Sequence, residues 1–146
     1  MKFKLIIDRE KDEEIVARVH EKTPLIQRIE AMVNETQTTD EVVGYYEDEI
    51  RMLTISEVEA FYIEDGKTYA AYSDKKRYRV KMHLYELEAI LPDNFRRINK
   101  SDIANMKRIL RFRTALNGAV DAVFRSGFSD YISRRCFAEL KKEYSL

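Results

Sequence analysis

Asn99, Lys100 and Ser101 place an amide, an ammonium and a hydroxyl on three consecutive residues within the segment FRRINKSDIANMKRI, residues 95–109. Apolar Phe95 and Ile98 precede them and Ile103 and Ile109 follow, which predicts a basic loop anchored on both sides. Groups of this kind on a loop are free to bond phosphate oxygens and base edges. The competing use of Ser101 is to cap a following helical turn, with Asp102 favouring its dipole. A second segment, YISRRCFAELKK at residues 131–142, repeats the arrangement. Ser133, Arg134 and Arg135 fall where a strand hands over to an amphipathic helix. An arginine there can grip guanine O6 and N7 through its planar fork, whereas a surface salt bridge is the bland alternative. Arg96, Arg97, Lys107, Arg108, Arg111 and Arg113 either contact phosphates or only add to the field.

The charge of the whole chain is zero, but its distribution is uneven. Residues 1–74 carry 9 Lys and Arg against 18 Asp and Glu, net −9, and residues 75–146 carry 17 against 8, net +9. Separation of this kind creates a field that steers a polyanion toward the second half and is screened by salt. Chemistry of other kinds has little support. The chain lacks a glycine-rich phosphate loop, a Gly-x-Ser-x-Gly element and a His-Glu-x-x-His element. Acidic pairs such as Glu47 and Glu49 belong to a run that reads as solvated, so no enzyme is expected. One cysteine, Cys136, and two distant histidines, His20 and His83, give no metal-ligand spacing, and no cofactor is expected. Cys136 and His83 read as packing residues. Absence of a long apolar run and of a signal-peptide pattern predicts a cytoplasmic protein without stable membrane insertion.

These residues need elements to position them. Residues 2–8 (KFKLIID) alternate weakly and predict a short strand. Ile15, Val16, Val19, Ile26, Ile29 and Val33 recur at near-helical spacing, and Pro24 either breaks that helix or starts a new one. The polar residues 34–41 read as a linker. Residues 1–40 are therefore expected to form a strand-helix appendage for dimerisation or docking, too short for a phosphoacceptor receiver domain, and residues 41–146 a separate domain. In the latter, Glu64-Asp65-Gly66 and residues 73–76 punctuate one meander of antiparallel strands, and Asn117-Gly118 and Ser126-Gly127 a second. Between them Leu84, Leu87, Ile90 and Leu91 share a helical face that stops before Pro92. The segment from Cys136 to Tyr144 predicts a closing helix.

Three ordered blocks now carry a resemblance: Ile55 with VEAFYIEDGKTY, then LYELEAILPDNFRRINKSDIANMKRI, then the glycine-turned strand pair ending GFSDYISRRCFAELKK. From roughly Asp48 to the C-terminus the chain resembles the LytTR family of bacterial DNA-binding domains, named for the LytR and AgrA type transcription regulators. The resemblance implies a mainly β fold of small antiparallel sheets flanked by short helices. It implies that loops, without a recognition helix, enter successive major grooves of double-stranded DNA, with two copies on a direct repeat. Its base-reading positions fall here on Tyr69, on Lys100 beside Asn99 and Ser101, and on Arg135 beside Ser133 and Arg134. Where the family has His-Arg-Ser followed by Val-Asn, this chain has Asn99-Lys100-Ser101 followed by Ala104-Asn105, and Lys keeps the charge but loses the planar fork.

The expectation is a sequence-specific transcription regulator, with activity set by its own concentration, by a separate signalling partner or by the appendage. A homodimer through residues 1–40 is expected to bind a tandem site. The alternative is an interaction module whose basic face docks an acidic protein or an anionic surface, and a weaker third reading is single-stranded RNA bound by the tyrosines.

Overall fold

Turn chemistry and alternation set most of the strands. In a computed structural model that describes residues 1–37 and 40–146, Asp65 and Gly66 both take positive φ, 51° and 73°. That is the geometry of a two-residue hairpin turn, which Asp-Gly accommodates at low strain. It joins β3 (Val58–Glu64) to β4 (Lys67–Tyr72), and β5 (Arg77–Val80) follows as the third strand of the first meander. Positive-φ glycines at 118 and 127 close the second, β8 (Ile109–Thr114), β9 (Val120–Phe124) and β10 (Ser129–Ile132). A hairpin of β1 (Glu41–Tyr46) and β2 (Glu49–Thr54) precedes them.

The architecture is mainly β, two antiparallel sheets with short helices. Strands β1 to β5, β6 (Phe95–Asn99) and β7 (Asp102–Asn105) form a seven-stranded sheet in the order β2-β1-β5-β4-β3-β7-β6. It is larger than expected, because β1 returns beside β5 and β7 beside β3. The three-stranded sheet has the order β10-β9-β8.

Alternation divides the core. Phe61 and Ile103, paired across β3 and β7, point into one cluster with Leu53, Tyr78, Leu84 and Leu87. Their neighbours Ala60 and Ala104 point the opposite way, into a cluster with Ala122, Phe124, Ile132 and Leu140. The small residues let the second sheet approach. Leu84 and Leu87 belong to α2 (Leu84–Ile90), where the Glu86 carboxylate accepts from the His83 N–H at 3.1 Å. His83 thus stands exposed at a helix start and is not the packing residue expected, whereas Cys136 is half-buried against the second cluster. Leu140 lies on α3 (Arg134–Tyr144).

Four sequence expectations are corrected. The basic loop expected around residues 99–101 is only the two-residue Lys100-Ser101 turn of a β6–β7 hairpin, and Asp102 is a buried strand residue, so Ser101 caps no helix. Residues 2–8 form no strand, since no described strand pairs with them and a lone strand gains nothing over water. Helix α1 (Pro24–Gln37) begins only at Pro24, with the Ile26 N–H donating to Thr23 Oγ1 at 3.4 Å. Proline disfavours helical geometry in the residue before it, so α1 does not extend back through Thr23, and Ile15, Val16 and Val19 lie outside it. Of the expected linker, residues 34–37 are helical, Glu41 opens β1, and Thr38 and Thr39 lie outside the described residues. The chain divides into two units, Met1–Gln37 and Thr38–Leu146. Among the described residues no helix is long and apolar enough to cross a membrane.

Candidate nucleic-acid interface

Strand pairing brings separated segments to one end of the second unit. Because β3 and β7 are antiparallel, the end of β3 meets the start of β7, and the Ile63 N–H donates to the Ser101 carbonyl at 2.9 Å. The β3–β4 and β6–β7 turns are thereby neighbours. The β10–α3 junction is tied to the same end by two bonds. Asn99 Nδ2 donates to the Tyr131 carbonyl at 2.8 Å, and the Ser133 N–H donates to the Ile98 carbonyl at 2.7 Å. A guanidinium closes the turn from below, Arg97 Nη1 donating to the Lys100 carbonyl at 2.8 Å.

The residues named from sequence have distinct surroundings here. Asn99 is only 4% exposed, and its Oδ1 accepts from the Ser101 N–H at 2.7 Å, so both ends of its amide are engaged inside the protein. Ser133 accepts from the Cys136 N–H at 3.2 Å and caps α3. Its capping sets Arg134 and Arg135 in the first turn, two residues earlier than the predicted helix start. Lys100, Arg134 and Arg135 are exposed, and none of the three forms an ion pair among the described residues. Ser101 is half-buried in the turn.

Tyr69 is set apart. Since the Asp65-Gly66 turn uses two residues, β4 starts at Lys67 and Tyr69 sits inside the strand. Its ring lies 5.9 Å from that of Tyr62, and the Arg77 guanidinium covers it at 4.3 Å. The exposed cation beside this turn is Lys67, which the sequence reading missed. The Asp-Gly dipeptide was the available signal, because a two-residue turn makes Lys67 the flanking position.

Most other arginines of the second half are committed to acids. Arg96 pairs with Glu143, Arg97 with Glu88, Arg113 with Asp121 at 3.0 Å and Arg108 with Glu59 at 3.3 Å. Lys107 and Arg111 are exposed and have no ion pair among the described residues. Beneath the β6–β7 turn, Asp102 is fully buried with no hydrogen-bond partner for either carboxylate oxygen. Its carboxyl is held well above the usual carboxylate range, first by burial and then by the neighbouring Asp130 carboxyl, against an opposing pull from Arg97. An uncharged Asp102 avoids leaving a bare charge in the interior.

Comparison with known proteins shows the family. The LytTr DNA-binding domain family model matches residues 48–145. Uncharacterized HTH-type transcriptional regulators of Staphylococcus aureus strains NCTC 8325 / PS 47 and COL are each 31% identical over 121 residues, covering 83% of this chain and 82% of theirs. In this chain α2 and α3 are separated by five strands, so they form no helix-turn-helix pair. A solved LytTr DNA-binding domain from Bacillus cereus shares the fold, with a TM-score of 0.66 and 22% identity over 74% of this chain and 99% of that one. With its mainly β architecture and the family match over residues 48–145, the chain belongs to the LytTr DNA-binding domain family.

Proposed function

We propose that this chain is a sequence-specific transcription regulator that reads the major groove of double-stranded DNA with its β6–β7 turn and the first turn of α3. The observation that carries this reading is the contrast in charge pairing. Lys100, Arg134 and Arg135 stand exposed on segments tied together and have no ion pair among the described residues, while Arg96, Arg97, Arg108 and Arg113 are engaged with acids. Arg135 is assigned the bidentate guanine contact, Lys100 and Arg134 bond phosphates or base edges, and Ser101 offers its hydroxyl beside them. Asn99 and Ser133 act as positioning residues, the first by bracing the turn against Tyr131 and the second by capping α3. Tyr69 supports the β3–β4 turn from within its strand, and Lys67 and Arg111 bind phosphate.

Two copies read a direct repeat in the bacterial cytoplasm. Residues 41–146 form the reading domain, while residues 1–40 or a separate partner govern activity. Selection of bound sites from random duplexes, using the full chain, tests the proposal. A motif containing a guanine step that Arg135→Ala relaxes is the expected result. Retention of duplexes without any enriched motif would show a basic docking surface for acidic partners and would remove the base-reading assignment.

A further inference from the structure

The seven-stranded sheet ends at β2, a strand with a neighbour on one side only. Its burial pattern is open: every residue but Leu53 is exposed, Ile50 by 69% and Met52 by 54%. Pairing of Ile50 with Tyr45 and of Met52 with Val43 sets these four side chains on one face, an apolar strip running to the edge. Open edges with bare apolar residues favour pairing with another strand, and proteins usually blunt them with charge, proline or a cover. None of these devices interrupts residues 50–53 on the strip's face.

We propose that β2 is the contact strand of a symmetric pair, in which two copies of this chain join their seven-stranded sheets through antiparallel β2 strands centred on Ile50. The register follows from hydrogen-bond phase and charge. In a hairpin closed by two residues the flanking pair exchanges the hydrogen bonds, here Tyr46 with Glu49. Backbone groups of Glu49, Arg51 and Leu53 therefore face β1, and those of Ile50 and Met52 face outward. A two-fold centre at Ile50 sets Ile50 against its own copy as a hydrogen-bonded pair. It also sets Glu49 opposite Arg51 of the other copy, twice. Opposite charges directly across a strand pair stabilise it, and like charges do the reverse. Centring on Arg51 would also use the outward groups of Ile50 and Met52 but would oppose two guanidinium groups. Arg51 is already held in place, Nη1 donating to Tyr78 Oη at 3.0 Å and to Asp74 Oδ2 at 3.1 Å. The pair is isologous, as a two-fold contact requires.

Such a pair has a directional consequence. Strand β2 runs the same way as β3, so the two-fold turns one copy's Lys100 and Arg135 toward one end of the joined sheet and the other copy's toward the opposite end. It holds two duplex segments apart and does not align adjoining half-sites on one duplex. The proposal concerns a surface separate from the reading end and stands whether or not Arg135 reads guanine.

Position-specific oxidation tests it on the full chain. Wild type, whose one cysteine is Cys136, is the control for Ile50→Cys and for Val43→Cys, one strand inward. Ile50→Cys is expected to form a disulfide-linked species of twice 17.3 kDa, and Val43→Cys is not. Light scattering over a concentration series is expected to show wild type approaching that doubled mass and Ile50→Lys remaining at the single-chain mass. A wild type that stays monomeric throughout overturns the proposal. So does a dimer that persists in Ile50→Lys and yields no cross-link at residue 50, because its contact then lies elsewhere, as in residues 1–40.

Discussion

The two ends of β3 and β7 hold their buried carboxyl groups in opposite ways. At the end where β3 begins, the fully buried Glu59 carboxylate accepts from Arg108 Nε at 3.3 Å, from the Ser126 N–H at 3.2 Å and from the Ser126 hydroxyl. Asn105 beside it is equally satisfied, Nδ2 donating to the Val58 carbonyl at 2.9 Å and Oδ1 accepting from Asn94 Nδ2 at 2.8 Å. At the other end the Asp102 oxygens have no hydrogen-bond partner among the described residues, and Lys100, Arg134 and Arg135 are exposed with no ion pair among them. One end is a fastening between the two sheets. The other leaves charge for something outside the chain.

The largest expected effect follows from breaking the fastening. Glu59→Ala strips the acceptor from Arg108 and Ser126 and is expected to cost about 3 kcal/mol of unfolding free energy in urea titration. A loss below about 1 kcal/mol would reduce this pair to the value of a surface contact.

Asp102 gives the opposite sign. Its folded-state pKa is raised above the unfolded value, so its stabilising contribution is whole below the unfolded carboxylate range and is lost as pH rises toward the raised folded value. Stability of wild type should therefore fall relative to Asp102→Asn as pH climbs from about 4, with a slope approaching 1.4 kcal/mol per pH unit. Parallel urea midpoints for the two proteins across that range would show that the carboxyl is ionised at ordinary cost.

At the reading end, Arg135→Ala is expected to weaken specific duplex binding by about 1 to 3 kcal/mol and to relax one guanine step. Equal losses on selected and scrambled duplexes would reassign Arg135 to the backbone. Lys100→Ala should lower the slope of log affinity against log salt by about one if the ammonium meets a phosphate. An unchanged slope, with relaxed preference at one position, would make Lys100 a base reader. The smallest effect belongs to Arg113, paired with Asp121 and half-exposed on β8. Its alanine variant should change duplex affinity by less than about 0.5 kcal/mol.

Local chemistry made much of the fold legible. Asp65-Gly66, Asn117-Gly118 and Ser126-Gly127 mark turns because few other dipeptides tolerate positive φ, and the strands they separate carry strong alternation. Leu84 and Leu87 ahead of Pro92 mark α2 for the same local reason. The β6–β7 hairpin was hidden, since its turn is Lys100-Ser101, without glycine or proline, and the consecutive Arg96-Arg97 and the buried polar Asn99 and Asp102 interrupt the alternation of its flanking strands.

Sequence by itself determined the mainly β class, the segregation of acidic from basic halves and the segments that hold Lys100 and Arg135. Tertiary structure alone decided that β1 lies beside β5 and β7 beside β3, that Asn99 is buried, and that Arg108 is ion-paired while Arg135 has no ion pair among the described residues. Turns and helix caps depend on neighbours a few residues away, which any reader of the chain can see. Pairing of Glu59 with Arg108 and Ser126 spans 49 and 67 residues, and such partners are chosen only when the sheets close over one another.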